Sequence, residues 1–219
     1  MVPARPALPM LMAVRIKGRA TSEAIATAAG ITAREARGAL TDARAAGLVR
    51  AAPGGVPSRG EDDPSVPETV FSLTPDGHAE LRALLAHEPL DRAALGRAYE
   101  AFLGVDARVK AAVTDWQLAS TKGRRFALGA TTLAATPRGT QAPTATLCDV
   151  GADAAVVADR LAVLVSRYAP YARRLATALE ALRAGDGRYA ASPRVDSLHQ
   201  VWFELHQDLL LTLGRERGA

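Results

Sequence analysis

The 219-residue chain has a single cysteine, Cys148, and few aromatic side chains: four Phe, four Tyr and two Trp. One cysteine excludes a disulfide framework within the chain and suits a reducing cytosol. The scarcity of aromatics, set beside abundant alanine, disfavours a β-sandwich and favours helices packed on small side chains. No apolar run approaches the length of a membrane span. The apolar stretch near the start is short, is interrupted by Arg15 and Lys17, and no clear cleavage site follows it. The expectation is therefore a cytoplasmic protein without a secretory leader and without a membrane partner. Also missing are a phosphate-binding glycine loop, a Cys/His cluster and a nucleophile elbow. No catalytic residue, metal or cofactor is assigned, and the chain is not expected to be an enzyme.

What is present is a packable core and an uneven charge. Apolar residues make up 48% of the chain, enough for one large domain or two small ones. Residues 1–60 carry nine Lys or Arg against three Asp or Glu, a net of +6, while residues 61–219 carry 18 against 20, a net of −2. A basic excess confined to one end is what a polyanion-binding segment requires.

Periodicity places a first helix over Leu8 to Lys17 and a second over Glu23 to Ala29, capped by Thr21 or Ser22 and closed by Gly30. Thr32 caps a third, whose narrow apolar stripe is Ala36, Leu40 and Ala43. Gly47 stops it. Leu48-Val49-Arg50 begins a strand, a Gly/Pro-rich loop follows, and ETVFSLT alternates as a second strand. Thr74 and Pro75 open a fourth helix.

This order predicts a winged helix-turn-helix. A groove-reading helix needs a thin apolar seam behind it and short or basic side chains in front. Arg34, Arg37 and Thr41 are placed to reach bases or phosphates, and Thr32 offers the helix start to a phosphate. Arg50 and Arg59 lie on the hairpin, where a wing follows the backbone. Glu61, Asp62 and Asp63 on the same hairpin are acids that phosphates repel.

The segment SEAIATAAGITAREARGALTDARAAGLVR, followed by TVFSLTPDGHAEL, resembles the winged helix-turn-helix of MarR-like and PadR-like bacterial transcription regulators. The likeness rests on the Gly-Leu-Val-Arg turn and on Leu73-Thr74-Pro75-Asp76-Gly77, and covers residues 8–87. MarR proteins place a dimerisation helix ahead of the reading head, and here few residues precede the first helix. The second half, with VTDWQL and HQVWFELHQDLLLTLGRER, is similar to the helical domain of actinobacterial regulators of this broad type. The resemblance implies a DNA-binding transcription regulator with double-stranded DNA as its partner. The acidic hairpin keeps open an alternative, a winged-helix protein-interaction module without sequence-specific DNA binding.

The fold expected is mainly α, with the DNA-binding domain over residues 1–88 and a helical dimerisation or effector-binding domain over 89–219. Within the second domain, helices are expected over Asp91 to Leu103 and Asp106 to Leu118. Residues 120–152 lose periodicity and read as a mobile loop containing Cys148. A stripe of heptad spacing runs from Val157 through Leu161, Leu164, Tyr168, Tyr171, Leu175 and Ala178 to Leu182, read as one long helix or two collinear ones kinked at Pro170. It suits either a homodimer interface or an internal seam, and the need to read two half-sites favours the homodimer. Ser192-Pro193 caps a last helix with the stripe Val195, Leu198, Trp202, Leu205, Leu209 and Leu213. Tyr99, Phe102, Asp115, Trp116, His199, Phe203 and His206 are candidate lining for a small-molecule effector pocket, since Asp115 and Glu204 beside aromatics need buried partners. His199 and His206, seven residues apart, lack the i, i+4 spacing of a helical metal pair.

Overall fold

The computed structural model describes residues 7–54, 68–127 and 141–215. The chain is mainly helical and divides into two compact units, Met1–Pro89 and Leu90–Ala219. Arg59 and the acids Glu61, Asp62 and Asp63 lie outside the described residues. Among the described residues no helix is long and apolar enough to cross a membrane.

The first unit runs α1 (Ala7–Lys17), α2 (Ser22–Ala29), α3 (Ala33–Ala45), β1 (Val49–Pro53), β2 (Thr69–Leu73) and α4 (Pro75–Ala86). Helix α1 is its hub: Met10, Leu11, Met12, Ala13 and Val14 are all buried, so the helix is covered on nearly every side. Thr21 caps α2 by accepting a hydrogen bond from the Ala24 N–H. Gly30, at φ 69°, turns the chain between α2 and α3, and Ile31 N–H donates to the Ala26 carbonyl to close that turn. Strands β1 and β2 pair antiparallel with Val49 opposite Leu73 and Arg50 opposite Ser72. Ala20 adds a single bridge to the outer edge of β2 through Phe71, with N–H···O distances of 2.8 and 3.2 Å.

One junction locks α3, the hairpin and α4 together. Gly47 adopts φ 74° after α3, which lets the Leu48 N–H return to the Ala43 carbonyl at 2.8 Å. The Thr74 hydroxyl donates to the Gly47 carbonyl at 2.6 Å and accepts from the Gly77 N–H at 3.0 Å, while the Thr74 N–H donates to Leu48. The first turn of α4 then presses so closely on β1 that a Cβ at Gly77 would overlap the Leu48 carbonyl oxygen.

The second unit is built on α5 (Arg92–Ala127), α6 (Gln141–Leu164), α7 (Ala169–Arg183), the short α8 (Arg188–Ala191) and α9 (Leu198–Leu213). Four sequence expectations are corrected here. The helices expected before and after Gly104 are one continuous helix, α5, whose two stripes share a phase: Leu95, Tyr99, Phe102, Val109 and Val113 are all buried. The stretch expected to be a loop over 120–152 is helical at both ends, α5 reaching Ala127 and α6 starting at Gln141. Cys148 is consequently a buried residue of α6, and burial pushes its thiol pKa up. The heptad stripe belongs to two helices that fold back on each other. Val165 and a 3₁₀ turn at Ser166–Tyr168 separate α6 from α7, and Gly151 of α6 faces Leu179 of α7. Leu161, Tyr168, Tyr171, Leu175, Ala178 and Leu182 are spent on the interior of this unit. Last, Ser197 rather than Ser192 caps the final helix, accepting from the Gln200 N–H.

The two glycines most tightly surrounded predict different costs. Gly77→Ala meets backbone, which cannot give, and should destabilise the first unit by about 1–3 kcal/mol. Gly151→Ala meets only the side-chain ends of Leu198 and Leu179, which can turn aside, and should cost less. Urea denaturation of both variants checks the ranking, and the reverse order would contradict it.

Candidate nucleic-acid interface

Helix α3 separates its residues cleanly. Ala36, Leu40 and Ala43 are buried, and Arg34, Glu35, Arg37, Gly38, Thr41, Asp42 and Arg44 are exposed. At 100° per residue, Arg44, Arg37, Thr41 and Arg34 fall side by side on one strip, and Glu35 and Asp42 fall together on its flank. Arg44 was not singled out by sequence, although its helical phase from Arg34 carries the signal.

The side chains on this face are partly engaged. Arg37 approaches Glu23 of α2 at 3.7 Å, both about 60% exposed, which is a weak pair in water. The Thr41 hydroxyl donates to the Arg37 carbonyl at 2.9 Å. At the start of α3, Thr32 and Glu35 form a reciprocal capping box: the Thr32 hydroxyl accepts from the Glu35 N–H, and Glu35 Oε2 accepts from the Thr32 N–H at 2.8 Å. These Thr32 hydrogen bonds hold the Glu35 carboxyl below the usual range. The Thr32 N–H is thus spoken for, and a carboxylate already stands at the positive end of the helix.

On the hairpin, Arg50 is exposed and its Nε donates to Ser72 Oγ, its cross-strand partner, at 3.0 Å. Arg19 donates to the Pro53 carbonyl at 3.3 Å, which brings a further guanidinium to the same small sheet. Nothing in the sequence announces Arg19; its position follows from the Ala20 bridge next to it.

The residues proposed to line an effector pocket are not gathered into one place. Tyr99, Phe102 and His206 do meet, together with Trp202: the Phe102 and Trp202 rings stack at 4.3 Å, and the Tyr99 hydroxyl lies 3.1 Å from His206 Nε2. Trp116 packs elsewhere, against Gly187. Asp115 and Phe203 are exposed, and His199 is half-buried, its pKa lowered by that burial. Among the described residues, no three of His, Cys, Asp and Glu are grouped to hold a metal ion.

Sequence reasoning missed the polar interior of this unit. Arg174 makes a bidentate contact with Asp196 at 2.7 and 2.8 Å and reaches Glu204 at 2.7 Å, with only 7% of its side chain exposed. Gln200 donates to the other oxygen of Glu204. One turn further along α9, Asp208 binds Arg167 and accepts from the Tyr171 hydroxyl at 3.0 Å, and Thr212 bonds both Arg167 and Tyr168. Burial, reinforced by the charges of Asp208 and Glu204, pushes the Tyr171 hydroxyl well above its ordinary pKa. On α5, Asp106 accepts from Trp202 Nε1 at 3.0 Å and from Lys110 at 2.6 Å, with His206 Nδ1 at 3.5 Å. Burial works to raise the Asp106 pKa, but the bonds from His206, Lys110 and Trp202 outweigh it and hold the group at about 2.

No protein-family model, curated protein or solved structure matches this chain.

Two measurements test the interior. Arg174→Met leaves Glu204 buried without its counter-charge and should cost about 3–5 kcal/mol, most of it recovered when Glu204 is also replaced by Leu. Asp106 has a folded pKa below its unfolded value of 3.8, so its contribution is fully present above that pH and is lost as pH falls toward about 2. Urea melts across this range should show that acid-labile increment in the parent and not in Asp106→Asn.

Proposed function

We propose that the unit Met1–Pro89 is a winged helix-turn-helix that binds double-stranded DNA through α3, and that the chain is a transcription regulator. The observation that carries this reading is the strip Arg44, Arg37, Thr41 and Arg34, exposed on one side of α3 while Ala36, Leu40 and Ala43 seal the other. A helix so divided can enter the major groove without unpacking its own core. The order α1, bridge at Ala20, α2, tight turn, α3, hairpin supports the same reading, and Arg50 and Arg19 supply cations for flanking phosphates. The acids Glu35 and Asp42 fix the polarity of the contact, because the flank that carries them must lie away from phosphates.

A single module of this kind reads a short site, and a two-fold pair reads two half-sites. We take the regulator to act as a homodimer through its helical unit, where Val156 and Val163 stand exposed two turns apart on α6. The acidic flank of α3 and the Glu23–Arg37 contact favour one other reading, a winged helix that docks a protein.

Fluorescence anisotropy with DNA from upstream of the chain's own gene tests the proposal. Arg34→Ala and Arg37→Ala should each weaken specific binding by about 1–3 kcal/mol and relax sequence preference. Arg44→Ala, a phosphate contact at the edge of the strip, should lower the salt slope by about one. Glu35→Gln keeps the capping box but removes the charge, and should tighten binding. Unchanged affinity in all four variants would overturn the DNA reading in favour of a protein partner.

A further inference from the structure

Among the described residues of the unit Leu90–Ala219, four buried side-chain atoms have no hydrogen-bond partner: Nε1 of Trp116, Oγ of Ser120, Oγ1 of Thr144 and Nη1 of Arg174, whose other nitrogens are already bonded. The first three fall at one level of the α5–α6 pair by helical phase and register. Trp116 and Ser120 are one turn apart on α5, in phase with the buried Val109, Ala112 and Val113. Thr144 is one turn ahead of the buried Leu147 and Cys148 on α6. The two helices run antiparallel, and the Arg108–Asp153 ion pair at 2.6 Å fixes their register. Counting outward from that pair brings Thr144 to the level between Trp116 and Ser120. Ser120 is only 6% exposed, so its hydroxyl has no recourse to solvent.

A buried polar group left unpaired is expensive, and native interiors seldom hold several together. Three at one level of one helix pair point to a group that the described residues do not supply. The indole N–H is a donor only, and each hydroxyl has a proton to give. Such a set suits a ligand with several lone pairs and no proton of its own, which describes a carboxylate. Gly187 completes the wall. A Cβ there would stand 3.2 Å from Trp116 Cζ2, so the indole lies close against the turn before α8.

We propose that Trp116, Ser120 and Thr144 form a binding site for a small carboxylate between α5 and α6. The site is separate from the Tyr99–Phe102–Trp202–His206 cluster, and its existence does not depend on what the first unit binds.

The two indoles provide the test. In ¹H–¹⁵N spectra of the full chain, the Nε1–H signals of Trp116 and Trp202 are assigned with Trp116→Phe. The Trp202 N–H is already bonded to Asp106 and serves as the internal control. Acetate, butyrate and benzoate are titrated at constant ionic strength, with chloride and neutral benzamide as comparisons. The expected result is a saturable downfield shift of the Trp116 signal with at least one of the acids, with the Trp202 signal unmoved and benzamide weaker than benzoate. Ser120→Ala and Thr144→Val should each lower the affinity about tenfold or more, and Thr144→Ser should retain it. An unaltered Trp202 signal certifies that each variant is folded. No saturable shift with any of the three acids, equal movement of both indoles, or full affinity in both hydroxyl variants would overturn the proposal.

Discussion

The first unit depends on the contact between the first turn of α4 and the Leu48 carbonyl. Thr74 caps α4 and at the same time donates to Gly47, and Gly77 has no side chain to hold the helix away from β1. These few atoms connect the end of α3, the start of the hairpin and the start of α4. They leave α3 no freedom to roll, because Leu48 is pinned from one side by Ala43 and from the other by Thr74. The direction in which the arginines of α3 point is therefore decided by residues that are neither basic nor exposed to a ligand. The Gly-Leu-Val-Arg and Leu-Thr-x-x-Gly segments that carry the family resemblance are the two halves of this junction. They mark a way of fixing a helix against a hairpin.

Charge on α3 follows from that fixed orientation. Three arginines and a threonine form one strip, and two acids form its edge. Net charge alone, +6 over residues 1–60, describes attraction to any polyanion. The strip and its acidic flank add direction, because a phosphate backbone lying across Glu35 and Asp42 is repelled. The capping box sharpens this. Glu35 stabilises the helix start through Thr32, and in doing so places a carboxylate where an unencumbered helix would accept a phosphate. The same side chain sets the stability of the helix start and the charge that stands there.

Legibility from sequence follows the range of the forces involved. The caps Thr21, Thr32 and Thr74 and the left-handed Gly30 and Gly47 were readable, because each acts within one helical turn. The helix over 141–164 was not. Its Thr, Gly, Ala and Pro content looks like loop, yet Pro143 sits in the first turn, where a missing N–H costs little, and Gly151 allows Leu198 and Leu179 to close in. That helix exists because Leu147, Val150, Ala154 and Ala158 are buried in the core of the second unit, a tertiary cause. The heptad stripe misled for a different reason. Spacing continues in phase across Val165, so periodicity alone cannot distinguish collinear helices from a pair folded back at that residue. Asp115 was grouped with Trp116 by adjacency, and one residue is 100° on a helix, enough to pack one partly against the core and leave the other in water.

The polar interior of the second unit was legible in principle. Gln200, Glu204, Asp208 and Thr212 recur every four residues on α9, and Arg167, Tyr171 and Arg174 recur at 4 and 3 on the opposing segment. A stripe of acids facing a stripe of bases and hydroxyls is a pairing rule for two helices, read with the same period as a hydrophobic seam. An apolar seam of similar volume would be no less stable, since each buried ion must first be stripped of water. What the ions add is register. Sliding α7 by one turn against α9 would carry Arg174 off Glu204 and leave that buried carboxylate without its present counter-charge, a penalty that Leu against Leu would not impose. The alanine-rich helices around them, smooth and able to pack in several registers, are where such a constraint is needed.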